Sequence, residues 1–188
     1  LRYLNPRPAH WPPAEFIVGN PPFIGNYRMR DALGDGYVEA LQSAYPDMPR
    51  NADFVMYWWH KSASLIRDGK LRRFGLITTN SLRQNNNRRI LDFHLNSQAN
   101  PLSIVFAIPD HPWVDSSEGA AVRISMTVAQ AGSSEGELAV VSAEHPNEQG
   151  DVDIHLVERV GKIQSDLTVG ANVVSAMALK ANDIVCFP

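Results

Sequence analysis

The sequence predicts an α/β fold: a strand–helix–strand–helix unit followed by strands with no helix between them. Three observations carry this. Short apolar runs at 16–18 and 74–79 each precede a stretch that supports a helix. After Pro101 the helical spacing stops, and strand-like runs follow at 102–108, 120–129, 138–142 and 152–157. The composition, 44% apolar and 20% charged, is that of a chain with a buried core.

Each element follows from local chemistry. Pro6, Pro8, Pro12 and Pro13, with Trp11 among them, make residues 1–15 an extended lead-in. Phe16-Ile17-Val18 has the continuous apolar pattern of a buried strand, ended by Gly19-Asn20-Pro21-Pro22. Residues 24–50 are mixed, with a short helix over 37–45 closed by Pro46 and Pro49. The clearest helix spans 51–68, with Asn51 as N-cap, Asp53 in the first turn and Gly69 as the stop. Its apolar stripe includes Phe54, Val55, Trp58, Trp59, Leu65 and Ile66, and both tryptophans read as core. Strand 74–79 leads into a helix within 82–95. The later strands read as antiparallel, with residues 109–113 and a polar loop joining the first two.

Several classes are excluded or disfavoured. Cys186 is the single cysteine, so neither an intrachain disulfide nor a cysteine-based zinc site can form, and no metal is expected. No apolar run reaches the roughly 20 residues that span a bilayer, so no membrane role is expected and a cytoplasmic location is the simplest reading. The net charge of −3 hides an asymmetry. Residues 61–90 carry eight Lys/Arg against Asp68, whereas 131–160 carry seven acids against Arg159.

The sharpest motif is Asn20-Pro21-Pro22-Phe23, directly after a strand. Ligands of open α/β sheets bind beyond strand carboxyl ends. Two prolines stiffen the loop and remove two N–H donors, leaving carbonyl acceptors. The Asn side chain adds an acceptor, and Phe23 adds a flat apolar surface. Such a loop suits an amino group on a planar ring.

In this the sequence resembles the amino-group (N6-adenine) DNA methyltransferases, whose signature is a strand followed by Asn-Pro-Pro and Tyr or Phe. Ala52-Asp53-Phe54, the run Gly75-Leu76-Ile77-Thr78-Thr79-Asn80-Ser81-Leu82, and Val105-Phe106-Ala107-Ile108-Pro109 with Ala121-Val122-Arg123-Ile124 follow in that family's order. Asp110-His111-Pro112-Trp113-Val114-Asp115 adds likeness to the methylase part of large single-chain bacterial restriction-modification enzymes. The resemblance covers roughly residues 15–130 and implies a partial Rossmann-like methyltransferase sheet, followed by an antiparallel β hairpin and further short strands.

It also implies methyl transfer from S-adenosylmethionine to a flipped-out adenine in double-stranded DNA. Asn20 and the Pro21 carbonyl would accept from the target amino group, with Pro22 and Phe23 completing the catalytic loop. The chemistry then rests on positioning and preorganised electrostatics. Phe23 is one stacking candidate for the target base, and Trp113 and Phe106 compete for its other face. Asp53 and Phe54 are candidate cofactor contacts, with a helix-start charge as the alternative for Asp53. Asn80, Ser81, Arg83, Arg88 and Arg89 are candidate DNA contacts, with turn residues and a solvated helix face as their alternatives. His111, in a loop without a paired ligand, reads as structural.

The family's glycine-rich cofactor loop is not found. Gly34-Asp35-Gly36 has the look, but no buried strand precedes it. With the motif at residue 20 and a start at Leu1, the chain reads as the second half of a catalytic domain (1–130). An acidic β-rich extension (131–165) and the start of a DNA target-recognition region (166–188) would follow. An upstream cofactor-binding half, and nuclease and recognition domains of the same polypeptide, are the expected partners. Methyltransferases acting on RNA or on a protein glutamine amide, and a non-catalytic DNA-binding scaffold, are the alternatives.

Overall fold

The computed structural model describes residues 3–113, 122–146 and 152–170. The expected recognition region lies largely outside the described residues. Six strands form one mixed sheet in the order β1-β2-β4-β3-β5-β6. They are β1 (Phe16–Gly19), β2 (Arg73–Thr79), β3 (Leu102–Trp113), β4 (Val122–Ala131), β5 (Gly136–Pro146) and β6 (Val152–Gly161). Four helices accompany them: α1 (Asn26–Leu33), α2 (Asp35–Ala44), α3 (Met56–Arg67) and α4 (Asn85–Leu95). The α/β reading holds, with β1 and β2 parallel and β3/β4 and β5/β6 antiparallel. One pairing was not foreseen: β3 and β5 touch in parallel through Phe106 and Ala107.

The core forms between one sheet face and α3. Ile17, Phe74, Leu76, Thr127 and Ala129 share that face by register. Trp59 is fully buried against it, with its ring 5.3 Å from Phe74 and its indole N–H donating to Thr127 Oγ1 at 3.2 Å. Burying a group of this size contributes about 2–3 kcal/mol, and the hydrogen bond removes the cost of the buried N–H. α3 ends where expected. Gly69 adopts φ 70°, a left-handed value that a side chain would oppose, and the Gly69 and Lys70 amides close on Ile66 and Leu65.

Three expectations need correction. β1 forms, but it is not buried: Phe16 is 53% and Val18 88% exposed. They lie on the face opposite Ile17, at the sheet edge, and an apolar run does not reveal whether both faces are covered. α3 starts at Met56 rather than near Asn51. Residues 51–55 are held from outside instead, since the Asn26 side chain donates to the Asn51 carbonyl and the Asp53 N–H donates to Asn87. The helix expected within 82–95 forms as α4, preceded by a 3₁₀ turn over Asn80–Arg83. Gln84 between them is extended, at φ −73° and ψ 153°.

The third correction is residues 109–113, which are not a loop but the end of β3. Pairing slips between Ile108 and His111, so the strand carries Pro109 as an irregularity, and the Pro109 carbonyl accepts from Ser125 Oγ at 2.6 Å. Gly34, in the glycine pair considered as a cofactor loop, sits at φ 83° between α1 and α2. It turns one helix into the next and follows no strand.

Candidate active site

Two loops and the end of β3 meet at the same edge of the sheet. β1 and β2 run parallel, with Gly19 opposite Leu76. β2 and β3 both pair antiparallel with β4, so they share a direction. The carboxyl ends of β1, β2 and β3 therefore gather residues 20–25, 79–83 and 110–113, where ligands of open α/β sheets bind. A direct link joins two of them: the Asn80 side chain donates to Asp110 Oδ1 at 3.2 Å.

The Asn20–Phe23 loop is half anchored and half open. Pro21 is buried, whereas Asn20 and Pro22 are exposed. The Asn20 amide has no hydrogen bond among the described residues, so its acceptor oxygen is available to a ligand. Phe23 is half-buried and packs against the core. Beside the loop runs an open groove of about 480 Å³, with Asn20, Pro21, Pro22, Leu76, Trp11 and Trp58 among its walls. Trp58, which reads as core in the sequence, is thus half-buried at the groove while its neighbour Trp59 is the core residue.

A buried polar node fixes the loops relative to one another. Asp53 Oδ1 accepts from the Asn26 backbone N–H at 2.9 Å. Asp53 Oδ2 accepts from Ser81 Oγ and from the Asn87 amide, each at 2.7 Å. Asn87 also accepts from the Asp53 N–H at 3.0 Å and donates to the Ser81 carbonyl at 3.1 Å. The Phe54 N–H donates to the Ile24 carbonyl at 2.9 Å, close behind the motif. A carboxylate offers about four acceptor positions, so three internal donors leave Asp53 roughly one for an outside partner. Asp53 is first of all a brace here.

The other expected residues are spread over this edge and beyond it. Phe54 is buried in an aromatic cluster, its ring 4.6 Å from Trp58, and borders a cavity of about 360 Å³ between α2, α3 and the lead-in. Trp113 ends β3 at the gathered edge and is 36% exposed. Phe106 lies mid-strand opposite Val128 and Glu137, away from that edge. Arg83 is half-buried, with its Nε without a partner among the described residues. Arg88 lies 4.0 Å from Asp92 on α4, and Arg89 is exposed. His111 holds the Pro112 carbonyl at 2.6 Å through Nδ1, a local contact.

Three residues at the edge were not singled out from the sequence. Tyr27, four residues past Phe23, is 93% exposed. Arg123 donates to Asp110 at 2.6 Å and to Glu144 at 2.7 Å. Those bonds raise the Arg123 pKa and hold the Glu144 carboxyl below its usual range. Asn87 is buried within the run Asn85-Asn86-Asn87, and three polar side chains opening a helix were the available signal.

The fit to a methyl donor is one-sided. The groove offers apolar and aromatic walls beside the Asn20 acceptor. However, no strand followed by a glycine-rich turn and an acidic residue occurs among the described residues, since Gly34 joins two helices. The residues present suit the reacting end of such a molecule and its target, not the whole of it. Among the described residues no group of His, Cys, Asp and Glu is arranged to hold a metal ion. None of the described helices is long and apolar enough to cross a membrane.

Comparison with known proteins agrees with this architecture. The family described as MmeI, DNA-methyltransferase domain, matches residues 5–140. The solved structure of the Type IIL restriction-modification enzyme MmeI in complex with DNA matches with a TM-score of 0.60 and 23% identity. That match covers 84% of this chain and 20% of the MmeI chain, so this chain spans about a fifth of that protein's length. A modification subunit ascribed to a type I restriction enzyme from Vibrio vulnificus YJ016 gives a TM-score of 0.47 and 13% identity over 71% of this chain and 26% of that one. No curated protein matches the chain. The family match takes in the Asn20–Phe23 loop, the Asp53–Asn87 node and β3 with β4, and the chain belongs to the MmeI DNA-methyltransferase domain family.

Proposed function

We propose that this chain is the target-base half of an adenine-specific DNA methyltransferase domain within a restriction-modification enzyme. The observation that carries the reading is Asn20-Pro21-Pro22-Phe23 leaving a parallel strand beside the loops of β2 and β3, with the Asn20 amide uncommitted. The exocyclic nitrogen of adenine is a poor nucleophile because its lone pair is delocalised into the ring. Asn20 Oδ1 and the Pro21 carbonyl accept its two hydrogens and favour a tetrahedral nitrogen. Pro21 and Pro22 keep these acceptors in place without reorganisation during the reaction. S-adenosylmethionine supplies an electrophilic methyl group that needs only in-line placement.

The target base must leave the duplex to reach this loop. Trp113 at the end of β3 and Phe23 flank the base in this reading, and Phe106 serves the sheet. Asn80 and Arg83 meet the flipped nucleotide strand, Ser81 holds their turn in place through Asp53 and Asn87, and Arg88 and Arg89 on α4 add charge for phosphates. Asp53 and Phe54 border the methyl donor, and the rest of its site comes from an upstream half. The open edge and exposed apolar side chains of β1 support that division, since a further strand would pair with the edge while a helix packed on that face would cover Phe16 and Val18. The enzyme works in the cytoplasm on double-stranded DNA.

Three measurements test this. In the full-length protein Asn20→Ala abolishes formation of N6-methyladenine and leaves DNA affinity within about threefold; retained methylation removes Asn20 from its role. Mass analysis of the methylated product reads the target directly, and a methylated RNA base or glutamine amide would reassign the substrate. For the chain alone, calorimetric titration with S-adenosylmethionine gives weak or no binding, and micromolar affinity would defeat the division into halves.

A further inference from the structure

We propose that Asn87 is a positioning residue for methyl transfer: acting through Asp53, it holds the loop that follows Asn20–Phe23 against the loop that follows β2. The inference rests on the methyltransferase reading above. Asn87 is 3% exposed, and the hydrogen bonds of its side chain run to Asp53, in the turn before α3, and to Ser81, after β2, with none to its own helix. Its amide nitrogen reaches Asp53 Oδ2 at 2.7 Å, the Ser81 carbonyl at 3.1 Å and Ser81 Oγ at 3.3 Å. Its oxygen accepts from the Asp53 N–H at 3.0 Å. Asp53 passes the constraint onward from its other oxygen to the Asn26 N–H, six residues beyond Asn20. Ser81 Oγ also meets Thr79 Oγ1 at 2.6 Å, so the carboxyl end of β2 is held by the same node.

Stability alone does not call for this arrangement. A buried polar network is often no more stabilising than an apolar packing of the same volume, but it specifies one geometry. Here the geometry specified is the separation of two loops at the strand ends. A reaction that relies on placing two reactants is sensitive to that separation, and an ångström of misplacement costs on the order of a hundredfold in rate. Asn87 touches neither of the proposed acceptor groups, so its effect falls on the rate of transfer rather than on the binding of either substrate.

The test is steady-state methylation by the full-length protein, with kcat expressed per folded molecule. Asn87→Asp keeps the acceptor for the Asp53 N–H but sets a second carboxylate against Asp53. Ser81→Ala removes one donor from the same carboxylate and is the milder variant. Expected are at least a tenfold loss of kcat for Asn87→Asp and a three- to tenfold loss for Ser81→Ala, with KM for methyl donor and for DNA changed less than threefold. A purely structural role would lower the folded fraction and leave kcat per folded molecule alone. Variants within twofold of the wild-type kcat overturn the proposal, and if Asn87→Asp does not fold, Ser81→Ala decides. An active wild type with unaffected variants removes this inference alone. A wild type that transfers no methyl group removes the methyltransferase reading and this inference with it.

Discussion

The sheet is open on both flanks among the described residues, at β1 and at β6, and both edges expose apolar side chains. β1 is four residues long, pairs in parallel with β2, and shows Phe16 and Val18. β6 is ten residues long, pairs antiparallel with β5, and shows Leu156, Val157 and Val160. The edges differ in what accompanies those side chains. β6 interleaves them with Asp153, Glu158 and Arg159, charges of the kind that discourage strand addition. β1 has no charged residue and runs straight into the Asn20–Phe23 loop and its groove. Exposure of apolar surface therefore does not by itself mark a docking edge; exposure on a strand without charged residues, continuous with a candidate site loop, is the sharper sign.

Charge placed on each edge tests the contrast most severely. In the full-length protein, Val18→Lys buries an unpaired cation where the upstream half is proposed to pair, costing about 3 kcal/mol or more, so methylation falls at least a hundredfold. Val160→Lys changes it less than threefold. Equal losses in the two variants would end the distinction between the edges.

Within the β1 side, Trp113 and Phe106 separate stacking from packing. Trp113→Ala weakens binding of DNA carrying an extruded target base by about 1–3 kcal/mol, roughly five- to 150-fold, with little loss of thermal stability. Phe106→Ala lowers the melting temperature and leaves that affinity close to wild type once folded protein is counted. The reverse pattern would move the stacking role into the middle of the sheet.

The smallest effect concerns the helices behind the site. His94 is buried on α4, with Nε2 3.0 Å from Nδ1 of His60 on α3 and its own Nδ1 without a partner. Burial, reinforced by His60 and Arg67, pushes its pKa down to about 3, and burial also lowers that of His60. The unfolded chain thus binds more protons than the folded one between about pH 6.5 and 3. Stability is full above pH 6.5 and declines as pH falls, by on the order of 1 kcal/mol per unit. Denaturant melts between pH 7.5 and 5 read this slope, and His94→Gln flattens it. A slope unchanged in that variant would place the titrating group elsewhere.

Much of this was legible from local signals. Gly69 marked the end of α3, and strand-like apolar runs marked β2 and β4. The two prolines after Val18 marked both the end of β1 and the rigid loop. Signals failed where a local rule met a distant partner. Pro109 and Pro112 argued for a loop, yet β3 continues through them because a slipped register accommodates them. Asn51 and Asp53 looked like the opening of a helix, yet Asn26 and Asn87 hold those residues in a turn. α1 went unseen because only Met29 of its eight residues is buried, which leaves almost no periodicity to detect.

The sequence by itself determined the Asn20–Phe23 loop as the candidate and its place after a strand, because proline geometry and side-chain acceptors are properties of adjacent residues. The tertiary structure alone decided that β4 slots between β2 and β3. It also decided that Trp113 rather than Phe106 stands at the gathered edge, and that Asp53, Ser81 and Asn87 meet. Those outcomes depend on pairings between residues up to 57 positions apart, such as Arg73 with Gln130, whose register is set by which faces bury together and not by any local pattern.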